Sequence, residues 1–252
     1  MKLELISLKT ESGKNVAALD YEPRRPRNVA LAVGHGYSSS KQNLDLMCAF
    51  LASHGFHVIS IDFPGHKLGA SGGRLGSIDD LIEALSAAVR FARERYTPTV
   101  YTAGHSMGAT TALLTAGADL QVTGAISIAT GYGRPAAIEA LAARGAVDLR
   151  SSYVDGLTLE EMVAQTARVL DAALARLAGR PALYVAAERD LMVSRSSAEE
   201  LFERAPDPKT FASIDSDHTY AGENARGTLL AWLNERHPRA PAPEPAPRAK
   251  VL

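Results

Sequence analysis

Short apolar runs alternate with amphipathic stretches along most of the chain. The runs are rich in β-branched residues and stop at glycine or a polar loop, which is typical of strands buried on both faces of a sheet. They cover residues 29–33, 57–61, 99–103, 124–129, 182–187 and 210–214. Two earlier stretches, 3–9 and 15–21, alternate more loosely on either side of Gly13 and predict a pair of strands joined by a turn.

Between these runs, apolar residues recur at helical spacing. Helices are predicted after Ser77, Thr158 and Ser197, and around Leu44 and Leu229. Thr158 and Ser197 each precede a glutamate by three residues, which is the capping-box pattern. The alternation of strand and helix predicts an α/β fold with a mostly parallel central sheet covered by helices.

Two segments depart from the alternation. Residues 132–180 hold helical patterns without a clear strand, and they are predicted to form a small helical insertion over the sheet. Residues 238–248 contain five prolines and little that could pack, so 238–252 is predicted to be a flexible tail. Residues 1–237 are then a single α/β domain that carries the insertion.

Composition and charge exclude several functional classes. Hydrophobic residues make up 46% of the chain, as in ordinary globular proteins, and the net charge of −1 gives no reason to expect a nucleic-acid partner. The single cysteine, Cys48, excludes an internal disulfide and a cysteine-built zinc site. No apolar stretch is long enough to span a membrane, and the N-terminus lacks a secretory pattern. We therefore expect a cytoplasmic protein, and no feature of the pattern predicts an oligomeric state.

The strongest chemical motif is G-x-S-x-G at residues 104–108. It follows a predicted buried strand directly and precedes a helical pattern, which is the strand–turn–helix setting of a nucleophile elbow. The flanking glycines suit the tight turn because they have no side chain to clash there. Ser106 is therefore predicted to be a nucleophile.

A serine hydroxyl becomes nucleophilic when a base removes its proton. Of the seven histidines, His218 follows the last predicted strand, and ligands bind beyond the carboxyl ends of parallel strands. The side chain of His105, inside the elbow, is expected to point away from the reacting side of the serine. The others are expected to have structural or solvated roles, so His218 is predicted to be the general base.

The histidine needs an acid that fixes its tautomer. Asp190 follows the predicted strand 182–187 and gives the chain order serine, acid, histidine; Glu188 lies two residues earlier and would suit the same task. A surface ion pair with Arg189 is the alternative role for Asp190. We choose Asp190 as the acid.

An oxyanion hole needs two backbone N–H donors. Met107, directly after the nucleophile, supplies one. The glycine-rich segment at residues 34–40 follows the strand 29–33, and Tyr37 within it would supply the second. The segment lacks the spacing of a dinucleotide-binding loop.

The chain resembles the α/β-hydrolases of the serine esterase, thioesterase and monoacylglycerol-lipase-like group. The matching stretches are GHGYSSS (34–40), IDFPGHKLGASGG (61–73), AGHSMG (103–108), AAERD (186–190) and SDHTY (216–220). In this family the segment that holds Tyr37 provides the second oxyanion donor, and the insertion at 132–180 corresponds to a cap. The loop after Asp62 departs from the family's pattern at Lys67 and Leu68, which leaves the triad untouched.

The resemblance implies a carboxylic ester hydrolase that works through an acyl-enzyme and requires no metal or organic cofactor. The expected substrate is a small-molecule ester or thioester. The apolar helix face that contains Met162 and Val163 is expected to roof the pocket above Ser106 and bind the substrate, although the same face could be ordinary core. A thioesterase or acyltransferase would use the same triad, and a non-catalytic binding protein on this scaffold would typically lack one of its members.

Overall fold

A single mixed sheet runs through the protein. The computed structural model describes residues 1–133 and 146–239. In this part of the chain the strands are β1 (Lys2–Lys9), β2 (Asn15–Glu22), β3 (Ala30–Gly34), β4 (His57–Ile61), β5 (Val100–His105), β6 (Gly124–Ile128), β7 (Ala182–Ala187) and β8 (Lys209–Ile214). Each strand predicted from the sequence is present, with ends that differ by at most two residues.

Helices cover both faces of the sheet. They are α1 (Asp45–Ser53), which a 3₁₀ turn over Lys41–Leu44 precedes, α2 (Ile78–Arg95), α3 (Met107–Ala118), α4 (Ala146–Ser151), α5 (Leu159–Ala175), α6 (Arg195–Arg204), α7 (Ala221–Asn224) and α8 (Arg226–Arg236). Ser77 and Thr158 form the predicted caps of α2 and α5, and both have complete capping boxes.

The predicted start of α6 is wrong. Ser194, rather than Ser197, is its N-cap, and the Ser194 hydroxyl accepts a hydrogen bond from the Ser197 amide. The hydroxyl of Ser197 is engaged elsewhere, because it donates to the carbonyl oxygen of Tyr132.

The strand order is β1-β2-β4-β3-β5-β6-β7-β8. β1 and β2 pair antiparallel, as do β2 and β4, and every other neighbouring pair is parallel. The prediction of a mostly parallel, helix-covered sheet is confirmed. The carboxyl ends of β5, β7 and β8 therefore lie along one edge, and the loops that leave them can meet there.

The central strands are fully buried because each side of the sheet has its own apolar layer. Alternate residues of β3 divide between the layers: Ala30 and Ala32 face the cluster under α2, α3 and α5, whereas Leu31 and Val33 face the cluster under α1 and α8. Period-two alternation of side chains along a strand produces this division. A sheet buried on both faces gives the loops at its carboxyl edge a rigid base.

The described part of the predicted insertion contains two helices joined by a non-helical stretch, residues 152–158. α4 and α5 lie between β6 and β7, while residues 134–145 of the insertion and 240–252 of the predicted tail lie outside the described residues. α5 packs closely on α3 at Gly117, where an added Cβ would lie 2.9 Å from the Cβ of Ala173. Two isolated β-bridges, His66 with Val154 and Leu75 with Gly156, tie the insertion to the loop after β4.

Candidate active site

Ser106 lies in the predicted turn between β5 and α3. Its backbone adopts φ 54° and ψ −114°, a left-handed conformation that non-glycine residues rarely take. The Ser106 amide donates to the carbonyl oxygen of Ile128 at the end of β6. Close packing holds the turn, since an added Cβ at Gly104 would lie 2.3 Å from the carbonyl carbon of Gly108, and one at Gly108 would lie 2.0 Å from the carbonyl oxygen of Gly34. The two glycines of the motif are therefore steric requirements of this turn.

His218 reaches Ser106 from the loop that follows β8. Its Nε2 lies 3.1 Å from the Ser106 Oγ. The loop is anchored at Ser216, which is buried: its carbonyl oxygen accepts from the Arg189 amide and its hydroxyl oxygen accepts from the Asn224 side-chain amide. Two loops at the sheet edge thus hold each other in place behind the imidazole.

Asp190 lies behind His218, in the loop after β7. Its Oδ2 is 2.7 Å from the His218 Nδ1, and its Oδ1 accepts from the backbone amides of Met192 and Val193, each at 2.8 Å. The Asp190 side chain is 1% exposed and that of His218 is 12% exposed. Burial opposes ionisation of Asp190, but the hydrogen bond and charge of His218 and the two amides outweigh it, so the pKa of the carboxyl is lowered. The Asp190 carboxyl is therefore held in its ionised form.

The alternatives for the acid are not brought to the histidine. Glu188 is exposed, and Arg189 pairs with Asp215, at 3.1 Å, rather than with Asp190. Because a carboxylate can only accept, the His218 Nδ1 carries a proton and donates it to Asp190. The Nε2 is then unprotonated and can accept the hydroxyl proton of Ser106.

The loop after β3 borders Ser106 on its other side. An added Cβ at Gly36 would lie 3.5 Å from the Ser106 Cβ, so the backbone of this loop passes directly beside the serine. The buried His35 fixes the loop: its Nδ1 donates to the carbonyl oxygen of Gly36, and its Nε2 accepts from the Phe63 amide. Burial, together with His66, lowers the pKa of His35 to about 3, which keeps the ring neutral and able to accept.

Tyr37, the predicted oxyanion donor, is held by its side chain. The phenol donates to the carbonyl oxygen of Leu157, a residue of the insertion, at 2.9 Å. Met107, the other predicted donor, is the first residue of α3. A first-turn amide has no partner within its own helix and can therefore donate to a ligand. Both residues flank Ser106, one in sequence and one across the site.

His105 is not directed away from the site as predicted. It lines the same cavity as Ser106, and its Nε2 donates to the backbone carbonyl oxygen of His218 at 2.7 Å. The two imidazole rings lie 4.9 Å apart between centroids. The elbow and the loop after β8 are thus joined directly. The two residues are 113 positions apart, so the sequence could not reveal this contact.

The other histidines lie in structural settings, as expected. His54 contacts the carbonyl oxygen of Phe50, His57 stacks on Tyr96 at 3.9 Å between ring centroids, and His66 donates to the carbonyl oxygen of Pro64. His237 contacts the hydroxyl of Tyr101. None of these four lines the cavity of Ser106.

That cavity has a volume of about 100 Å³. The loop after β3, the elbow and the loop after β8 form most of its wall, and α4 and α5 add Arg150 and Leu159. Met162 and Val163, the predicted substrate-binding residues, line a different cavity of about 120 Å³, between α3 and α5. Met107 lines this second cavity, so both cavities border the elbow. Of the described residues in the first turn of α5, Leu159 lines the cavity of Ser106, and the predicted placement of Met162 and Val163 above the serine is not found.

Sequence reasoning missed Arg150. It lies in α4, a helix of under two turns with no apolar stripe, and its guanidinium Nη1 donates to the Ser38 hydroxyl at 3.3 Å. No periodic or motif signal marks such a residue.

In the described ranges, no group of three or more His, Cys, Asp or Glu side chains is positioned to hold a metal ion. Within the same ranges, no helix has the length and apolar character needed to cross a membrane.

The family model described as serine aminopeptidase, S33, a family of α/β-hydrolases, matches residues 25–166, which is more than half of the chain. No curated protein matches the sequence.

Several solved structures have the same fold. The esterase domain of a Rhodothermus marinus protein has a TM-score of 0.69 at 23% identity, with 93% of this chain and 99% of that chain covered. The α/β hydrolase GrgF from Penicillium sp. sh18 has a TM-score of 0.70 at 18% identity, covering 94% and 99%. An esterase from Pyrococcus furiosus has a TM-score of 0.68 at 18% identity, covering 94% and 90%.

At these identities the solved structures establish the fold, and the sequence match over residues 25–166 establishes the family. Fold, elbow and family agree with the resemblance drawn from the motifs. The chain is an α/β-hydrolase of the serine aminopeptidase S33 family.

Proposed function

We propose that the protein hydrolyses carboxylic esters through an acyl-enzyme on Ser106. The observation that carries this proposal is the continuous hydrogen-bonded chain from Ser106 through His218 to Asp190, at the wall of a cavity. Nucleophile, base and orienting acid within hydrogen-bond reach are the requirement for activating a serine. The esterase structures that share the fold are consistent with this chemistry.

In the first step, the Ser106 Oγ attacks the ester carbonyl while the His218 Nε2 takes the hydroxyl proton. Asp190 holds the opposite nitrogen and stabilises the imidazolium that forms. The Tyr37 and Met107 amides would stabilise the negative charge that develops on the carbonyl oxygen. The positive end of the α3 helix dipole, directly after Ser106, favours the same charge.

The tetrahedral intermediate then collapses, and His218 returns its proton to the leaving alcohol. Water enters and loses a proton to His218 as it attacks the acyl-enzyme. Collapse of the second intermediate releases the carboxylic acid and restores the Ser106 hydroxyl. His35 and His105 position the two loops on either side of the serine, and neither touches the reacting atoms in this scheme.

An ester is favoured over a peptide with a free amino terminus, although the family model is described by an aminopeptidase. Recognition of an ammonium group calls for a carboxylate in the site. Among the described residues that line the Ser106 cavity there is no aspartate or glutamate. A thioesterase or acyltransferase remains the second candidate, since the same triad and cavity would serve a thiol leaving group or an acceptor alcohol.

Met162 and Val163 are proposed to bind the acyl chain through the neighbouring cavity rather than above the serine. That cavity is lined mainly by apolar side chains, and Met107 borders it directly beside Ser106. An acyl chain bound there would have to pass the elbow. The volume of this cavity, about 120 Å³, suits a short acyl chain rather than a long lipid tail.

The test is a panel of p-nitrophenyl esters and acyl thioesters of graded acyl length, assayed with the wild type and with Ser106→Ala. Ester hydrolysis that the variant loses by a factor on the order of 10⁶ in kcat supports the proposal. Turnover of thioesters alone would favour the second candidate. Equal rates in wild type and variant would refute a serine mechanism.

A further inference from the structure

Arg150 brings a full positive charge to the cavity of Ser106. It lies in α4, its side chain lines the cavity, and the residue is exposed. Its guanidinium reaches Ser38, the residue after Tyr37. The charge therefore lies at the same wall of the cavity as the proposed oxyanion donor.

Among the described residues, the guanidinium of Arg150 has one hydrogen-bond partner, Ser38. A guanidinium has five N–H donors, and the bond to the Ser38 hydroxyl occupies one of them. Among the side chains that the structure describes, those of residues 1–133 and 149–239, no carboxylate forms an ion pair with Arg150. Arg189, Arg195 and Arg204, by contrast, all have acidic partners.

The other described polar side chains of the wall carry no permanent charge. Ser39, Asn43 and Thr219 contribute hydroxyl and amide groups, and His218 must be neutral to act as a base. In the described part of the chain, Arg150 is the one permanently charged side chain that lines the cavity. A cavity with an unbalanced positive charge attracts an anionic ligand.

We infer that the substrate carries a carboxylate or phosphate group, which Arg150 binds beside the reacting ester. This inference rests on the proposed ester hydrolysis and specifies its substrate class. The planar fork of an arginine suits both anions, because each can accept two parallel N–H donors. The same charge disfavours a substrate with a free amine.

The test compares esters that differ only in charge. Monoethyl adipate carries a carboxylate on the acyl side of the ester, and O-butyryl glycolate carries one on the alcohol side. The amide of each compound is its neutral counterpart. O-butyryl hydroxyethyl phosphate supplies a phosphate in place of the alcohol-side carboxylate. Each is assayed by pH-stat titration with the wild type, Arg150→Gln, Arg150→Lys and Arg168→Gln. Arg168 is a matched control, since it is an exposed arginine of α5 outside the cavity wall.

We expect kcat/KM of the wild type to favour at least one anionic ester over its neutral counterpart by about 10- to 100-fold, the size of a charge-assisted hydrogen bond. Arg150→Gln should lower this ratio of kcat/KM values to about one, Arg150→Lys should keep part of the preference for the anionic ester, and Arg168→Gln should leave the ratio unchanged. A wild type without preference, or an unchanged ratio in Arg150→Gln, would overturn the inference.

Anion binding is measured independently of turnover by calorimetric titration with adipate and with inorganic phosphate. Binding to the wild type and to Arg168→Gln, but not to Arg150→Gln, supports the anion site even where no ester is hydrolysed. In that case the proposed function fails and the site stands. Absence of binding to the wild type, together with hydrolysis of neutral esters, leaves the function standing and overturns the site.

Discussion

Replacing Asp190 with asparagine should invert the proton arrangement of the triad without moving it. The Asp190 Oδ1 accepts from two backbone amides, those of Met192 and Val193. In Asp190→Asn, only the amide oxygen can continue to accept both bonds, since an NH₂ group there would face two donors. The NH₂ group is therefore forced to the position of Oδ2 and points at the His218 Nδ1.

An NH₂ donor at that position requires an unprotonated Nδ1, so the proton of His218 moves to Nε2. The histidine then donates to Ser106 instead of accepting from it, and general-base catalysis is lost. The loss associated with the wrong tautomer is on the order of 10⁴ in kcat, or about 5 kcal/mol of transition-state stabilisation. The isosteric change should leave the fold intact.

The assay is kcat and KM for the best p-nitrophenyl ester of the panel, with circular dichroism to verify folding. Glu188→Gln is the matched control, because it removes a neighbouring carboxylate that is exposed, whereas Asp190 is the carboxylate that is bonded to His218. We expect that control to keep kcat within a few-fold of the wild type. A mild Asp190→Asn together with a damaging Glu188→Gln would show that the acid has been assigned wrongly.

Two further predictions concern helix α5 of the insertion and the loop after β3. Val163→Ala should shift the preferred acyl length, since a change in a pocket wall is worth about 1–3 kcal/mol of discrimination between substrates. Leu174→Ala, a buried position of the same helix, is the control: it should keep the length profile and lower the free energy of unfolding by about 2–5 kcal/mol. An unaltered profile in Val163→Ala would remove this residue from the acyl site. The native pKa of His35, about 3, lies below the ordinary value, so the unfolded chain binds a proton first as the pH falls. The free energy of unfolding should therefore decline from about pH 6.5 to about pH 3, by up to about 1.4 kcal/mol per pH unit from this group. Denaturant titrations of His35→Gln should give a flatter decline, and an equally steep one would contradict the assignment to His35.

The sequence was sufficient to predict the elbow because the chemistry there is local. G-x-S-x-G between a buried strand and a helix specifies a turn in which Gly104 and Gly108 are required by close packing. His218 and Asp190 could be predicted because loops at the carboxyl ends of parallel strands share one edge of the sheet. The topology, rather than any local pattern, brings these three residues together.

The remainder depends on packing that no linear pattern contains. The stripe of α5 predicts an apolar face, but only the packing of α3 and α5 in three dimensions shows that Met162 lines a second cavity. His105 and Ser197 have hydrogen-bond partners far away in the chain, so neither the direction of the first nor the failure of the second as a cap could be predicted. Arg150 lies in a short helix whose position is defined only by tertiary contacts.

The most direct test of the central claim is to locate the covalent bond to the enzyme. The protein is incubated with a fluorophosphonate, digested and mapped by mass spectrometry, alongside Ser106→Ala. We predict a single stoichiometric adduct on the peptide that contains Ser106, which the variant lacks. An adduct on another residue, or no adduct in a wild type that hydrolyses esters, would contradict Ser106 as the nucleophile.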